Sequence, residues 1–179
     1  MEVRKQRSLA PPPPIPSETL LLPISEFPEG WHETTEISGP HGNHAVRWYW
    51  DDVTENDKKK STFLIIDWWK DIETAKSDYL RGLKARPIEP GAVRIEGLWR
   101  GDIAVRHPDE YEFWSLIPAE PETQRAECLY VARYDTYVCM FYIRFHLDTL
   151  TAEQVKELVE KLDESFAIVD RQHDTKEPE

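Results

Sequence analysis

The chain has 179 residues, enough for one domain with a full hydrophobic core and too few for two ordinary ones. Its 22 lysines and arginines stand against 34 aspartates and glutamates, a formal charge of −12 that argues against a nucleic-acid partner. The longest apolar runs, such as residues 63–66 and 138–143, fall far short of a bilayer span, and no signal-peptide core follows Met1; the sequence as it stands reads as cytoplasmic, or as a cell-envelope protein if a leader has been removed.

Residues 1–19 read as an arm, basic at Arg4, Lys5 and Arg7, then proline-rich through Pro11, Pro12, Pro13, Pro14, Ile15 and Pro16. Such a run favours polyproline II and cannot join a sheet ladder. It is either a surface-draped tether or a docking segment for a protein partner. Leu20 to Leu22 are too apolar to stay in water and are expected to anchor the arm to a single domain at residues 20–169. Residues 170–179 form a short charged tail.

Within the domain, strands are predicted at residues 31–37 and 45–51, joined by the turn residues Gly39, Pro40, Gly42 and Asn43. After a polar loop at 52–60, residues 62–69 give a strand with a continuous apolar centre, as suits burial on both faces. Ile72, Ala75, Tyr79 and Leu83 mark an amphipathic helix over 71–84 that Pro87 stops. Further strands are expected at 93–98, 103–106 and 111–116, then a loop rich in proline and glutamate at 118–122.

The strongest pattern comes last. Residues 125–134 and 137–146 are rich in β-branched and aromatic residues, with Asp135 and Thr136 as the turn. A two-residue loop sets Cys128 opposite Ile143, Tyr130 opposite Phe141 and Ala132 opposite Cys139, so both faces of the hairpin are apolar at the centre. In that register Cys128 and Cys139 are too far apart for a disulfide and read as buried thiols, which fits a reducing compartment. Thr151 with Gln154 makes a capping box, and Val155, Leu158, Val159, Leu162 and Phe166 form the apolar stripe of a helix to about residue 168. The expected fold is α+β, one antiparallel sheet of about six to eight strands with the two helices packed on opposite faces.

Several stretches resemble a known family: residues 24–31, the helix with Ala75 and Tyr79, the step Gly101-Asp102-Ile103-Ala104-Val105, and the final hairpin with its Thr151-led helix. Over residues 20–169 the chain resembles bacterial sensor-type domains of the Mog1/PsbP-like sandwich superfamily. That resemblance implies binding of a ligand or partner without catalysis, usually in the cell envelope.

Catalysis has no motif here. The sequence lacks a Gly-x-Ser-x-Gly elbow, a phosphate-cradling glycine loop, a Cys-x-x-Cys and a His-Glu-x-x-His. Glu110 and Glu112 share a strand face but alternate with Tyr111 and Phe113 as an ordinary wet face does. His41 and His44 are two imidazoles in a turn, short of a metal site. Asp51, Asp52, Glu55 and Asp57 crowd one loop without the glycine and glutamate of an EF-hand, so neither a metal nor a cofactor is expected.

Seven tryptophans are the least ordinary feature. Trp48 and Trp50 share a strand face, whereas Trp68 and Trp69 must point to opposite faces. Together with Trp99, Trp114 and Asp67 they are the candidate lining of a ligand groove, with Arg47 or Glu112 as further polar groups; Trp31 completes the set. The plainer assignment is that they fill the interface between sheet and helices. The functional expectation is a non-catalytic binding or sensor-type module that engages a protein partner or serves as an accessory subunit. The alternative is a small-molecule-binding domain with a tryptophan-lined groove.

Overall fold

The structure, a computed structural model, describes residues 11–51, 62–84, 92–94, 103–118 and 125–169. In chain order its elements are β1 (Trp31–Ser38), β2 (His44–Asp51), β3 (Thr62–Trp68), α1 (Ile72–Lys84), β4 (Ala92–Arg94), β5 (Glu110–Pro118), β6 (Arg125–Tyr134), β7 (Tyr137–His146) and α2 (Ala152–Ser165). Among the described residues these strands form one sheet in the order β1-β2-β3-β7-β6-β5-β4, with every pairing antiparallel. Two meanders, β1 to β3 and β4 to β7, thus meet where β3 pairs with β7. The predicted strand at 93–98 corresponds to β4, and residues 95–98 lie outside the described set, as do the polar loop at 52–60 and Pro87.

The β6–β7 hairpin has the expected register, with Tyr130 opposite Phe141 and Ala132 opposite Cys139. Its turn lacks an Asn-Gly pair, and Asp135 takes the left-handed conformation instead, at φ 53°. Asp109 holds that turn by accepting from Asp135 N and from Arg133 Nη1 at 2.7 and 2.9 Å. Cys128 and Cys139 are buried and are not joined to each other by a disulfide, and burial pushes the Cys139 thiol well above its usual range.

The two helices cover opposite faces. Thr151 caps α2 with the complete capping box, and Val155, Leu158, Val159 and Leu162 point into the larger core together with Tyr49, Leu64, Ile66, Tyr130 and Phe141. Each such side chain contributes about 1.5–3 kcal/mol of burial, enough to hold a helix of this length that alone would be marginal. The continuous α-helix runs to Ser165, where Phe166 N donates to Asp163 O; after that turn a further helical turn covers residues 167–169, so the helical stretch reaches the expected residue 168. Phe166 then stacks on Tyr134, ring centroids 3.8 Å apart. On the other face, Asp71 caps α1 by accepting from Thr74 N at 2.8 Å, which holds the Asp71 carboxyl below its usual range. Ala75 and Tyr79 pack on Leu129, Val131, Val138 and Tyr142, while Ile72, expected on the buried stripe, is exposed in the first turn. A Cβ at Gly82 would meet Met140 Cε, the flexible tip of its side chain, at 2.9 Å and Val131 Cγ1 at 3.4 Å, so α1 lies close to the sheet at this point.

Residues 103–106 correct a sequence expectation: they form no strand. The segment runs beside α2, where Ala104 N donates to Glu160 Oε1, and Arg106 N and His107 N donate to the buried carboxylate of Asp163. The alternation that suggests a strand arises because Ile103 enters the core while Ala104 stays exposed. Side-chain carboxylates, not a neighbouring strand, satisfy the backbone.

The proline-rich arm packs on its own domain. Pro13 and Ile15 are buried, whereas Pro11, Pro12, Pro14 and Pro16 are exposed. Leu20, Leu21 and Leu22 enter the larger core as expected, and Ile15 enters it too, farther out along the arm than the predicted anchor. With no ladder partner among the described residues, residues 11–22 are held by side chains. Ile15 N donates to the Tyr137 hydroxyl at 2.9 Å, that hydroxyl donates to Ile15 O at 2.8 Å, and Tyr49 Oη donates to Leu22 O. Burial pushes the Tyr137 hydroxyl up to about 12. Replacing Tyr137 with phenylalanine removes both bonds to Ile15 and is expected to cost about 1–3 kcal/mol. Chemical denaturation should show that loss, with faster protease cleavage before Leu20. In the wild type the folded state holds the proton more tightly than the unfolded one. Stability from this group is therefore whole below pH 10 and falls as pH rises toward 12.

Candidate functional site

The face of the sheet that carries α1 is only partly covered by it. Register sets Thr34, Trp48, Phe63, Tyr142, Leu129 and Trp114 side by side across six strands. Trp48 lies 5.4 Å from Phe63 between ring centroids, and Phe63 lies 5.4 Å from Tyr142. Trp48, Phe63 and Trp114 remain half-buried. In the next row, Trp50 stacks on His32 with centroids 5.8 Å apart. The outcome is a belt with half-buried rings at Trp48, Phe63 and Trp114, in which Tyr142 and Leu129 are buried between Phe63 and Trp114.

The belt adjoins a shallow depression of about 210 Å³ between α1 and strands β3 and β7. Ile65, Val138 and Met140 form its floor, and Asp67, Asp78 and Arg81 supply its polar groups. Asp78 accepts from Trp69 Nε1 at 2.9 Å and pairs with Arg81, whose side chain is largely exposed. Asp67 pairs with His44 Nδ1. Burial raises the Asp67 carboxyl from its ordinary value, and the hydrogen bond from His44 offsets part of that shift. A second depression, of about 200 Å³, lies on the opposite side between residues 26–28 and α2.

The candidate residues therefore divide. Trp48, Trp50, Trp114 and Asp67 share the partly open face. Trp69 also faces that side but is held against α1, while Trp68 and Trp31 turn into the larger core. Trp99 lies outside the described residues. Arg47 leaves the groove for the arm, donating to Thr35 Oγ1 and to Leu22 O. Glu112 accepts from Trp114 Nε1 at 3.0 Å and so does stand at the belt. Glu110 pairs with Arg133. Of the arm residues, Pro13 and Ile15 are committed to the core, leaving the other four prolines accessible.

His41 is exposed with a left-handed backbone and His44 is engaged by Asp67; among the described residues no cluster of three metal-ligating side chains forms. Asp52, Glu55 and Asp57 lie outside the described residues. No helix among the described residues is long and apolar enough to cross a membrane. Phe63, Tyr142, Asp78 and Arg81 are additions that sequence reasoning missed. Phe63 and Tyr142 meet only because β3 pairs with β7, strands almost eighty residues apart, and no local signal encodes that pairing.

No protein-family model matches the chain, and no curated protein matches it.

A raised carboxyl pKa means that the ionised form of Asp67 costs stability above its ordinary titration range, a cost absent when the group is protonated. Asp67→Asn is therefore expected to raise the thermal midpoint at pH 7. The gain should shrink as pH falls toward about 4, the ordinary aspartate range, and be absent below it, and thermal melts between about pH 7 and pH 3 check it.

Proposed function

We propose that the protein is a non-catalytic binding module whose contact surface is the aromatic belt beside α1, and that its partner is another protein. One observation carries this reading: Trp48, Phe63 and Trp114 stay half-buried on one sheet face, while at the centre of the opposite face Tyr49, Leu64, Ile66, Tyr130 and Phe141 are buried. Aromatic residues of this kind dominate protein interfaces, because a large rigid ring buries much area at little entropic cost. The depression beside the belt favours a protein over a small molecule. Its volume of about 210 Å³ falls below the roughly 300–1,000 Å³ typical of pockets that enclose a small ligand. A sensor-type role is also what the resemblance of residues 20–169 to Mog1/PsbP-like domains implies. The arm is the weaker contact candidate, since Ile15 and Pro13 are taken by the domain itself.

The test is co-purification from the source cell with the wild type and with a Trp48→Ala, Trp114→Ala double variant. The expected result is a stoichiometric partner that the wild type retains and the double variant loses, with circular dichroism unchanged. Retention by the double variant would move the contact elsewhere. A small metabolite that shifts tryptophan emission and is lost in the same variant would instead favour the ligand-groove alternative.

A further inference from the structure

We propose that β1 is a self-association edge, pairing antiparallel with β1 of a second copy about a two-fold axis at Thr34. The strand ends the sheet, and among the described residues no strand pairs with its outer side. It is eight residues long and regular, with Ile37 50% exposed and His32, Glu36 and Ser38 also exposed. An open edge of this length offers a row of outward backbone donors and acceptors to another strand.

Symmetry limits the registers. Opposed residues of an antiparallel pair lie on the same face, so a two-fold axis perpendicular to the sheet must pass between one residue and its own copy. An axis at Glu33 or at Glu36 would press a carboxylate against its own copy, which is unfavourable. An axis at Thr35 would set Glu33 against the apolar Ile37. An axis at Thr34 sets His32 against Glu36, Glu33 against Thr35 and Trp31 against Ile37, each pair twice, with Thr34 meeting its copy at the centre. That register pairs every charged group with a hydrogen-bonding group and places the exposed Ile37 beside an aromatic residue. The two glutamates thus select the register while discouraging slipped ones.

The face of the sheet is continuous across such an edge. His32 stacks on Trp50, and Thr34 stands beside Trp48, so two copies joined here would set their aromatic belts end to end on one surface. The overall charge of −12 opposes association, and its long-range part is screened at about 0.15 M salt.

The test is sedimentation of the full chain at that salt across the micromolar range, with variants at exposed or half-buried positions whose folding is checked by circular dichroism. The wild type should move from the mass of one chain to twice it as concentration rises. His32→Glu, which sets glutamate against Glu36, should shift the midpoint to roughly tenfold higher concentration, and adding Glu36→Lys should restore it. Thr34→Cys should give a covalent dimer on mild oxidation, and Thr35→Cys, which does not face its own copy, should not. A chain that stays monomeric throughout, or a dimer that His32→Glu leaves unchanged, would overturn the proposal.

Discussion

The hairpin of β6 and β7 is apolar on both faces, and this one constraint shapes the rest of the molecule. A strand pair with Tyr130, Phe141 and Ile143 on one side and Val131, Val138 and Tyr142 on the other needs cover twice over. It also needs neighbours on both edges, since each of its strands has a second ladder to fill. β3 and β5 supply those neighbours, and the seven-stranded order follows from placing the hairpin in the middle. α2 and the arm cover the centre of one face. α1 seals only part of the other, because a single helix is narrower than the sheet on which it lies.

Polar groups fix how the covering pieces sit. The arm and the segment at residues 103–107 both lie along the core without joining the sheet, so their backbone groups need other partners. The Tyr137 hydroxyl serves the arm at Ile15, and Asp163 serves the segment while also accepting from Tyr134 Oη at 3.2 Å. Burial raises the Tyr134 and Tyr130 hydroxyls well above their usual range, so both act as neutral donors in this network.

Local pattern made much of this legible. The hairpin register follows from loop length, α2 from Thr151 and its apolar stripe, and α1 from Asp71 onward, because each is written in residues a few positions apart. What was not legible is long-range. The meeting of Phe63 with Tyr142 depends on β3 choosing β7, and the fate of residues 103–106 depends on carboxylates almost sixty residues later in the chain. The tryptophans show the same limit. Strand parity separates Trp68 from Trp69 and groups Trp48 with Trp50, but only the assembled sheet brings Trp114 into line with Trp48.

The central claim is that the centre of one face of this sheet is covered while the other keeps accessible rings at Trp48, Phe63 and Trp114. Hydroxyl-radical footprinting of the native chain, read tryptophan by tryptophan by mass spectrometry, tests it most directly. Oxidation should be rapid at Trp48, Trp50 and Trp114, and slow at Trp31 and Trp68, which are each 7% exposed. Protection of Trp48 and Trp114 equal to that of Trp68 would contradict the account.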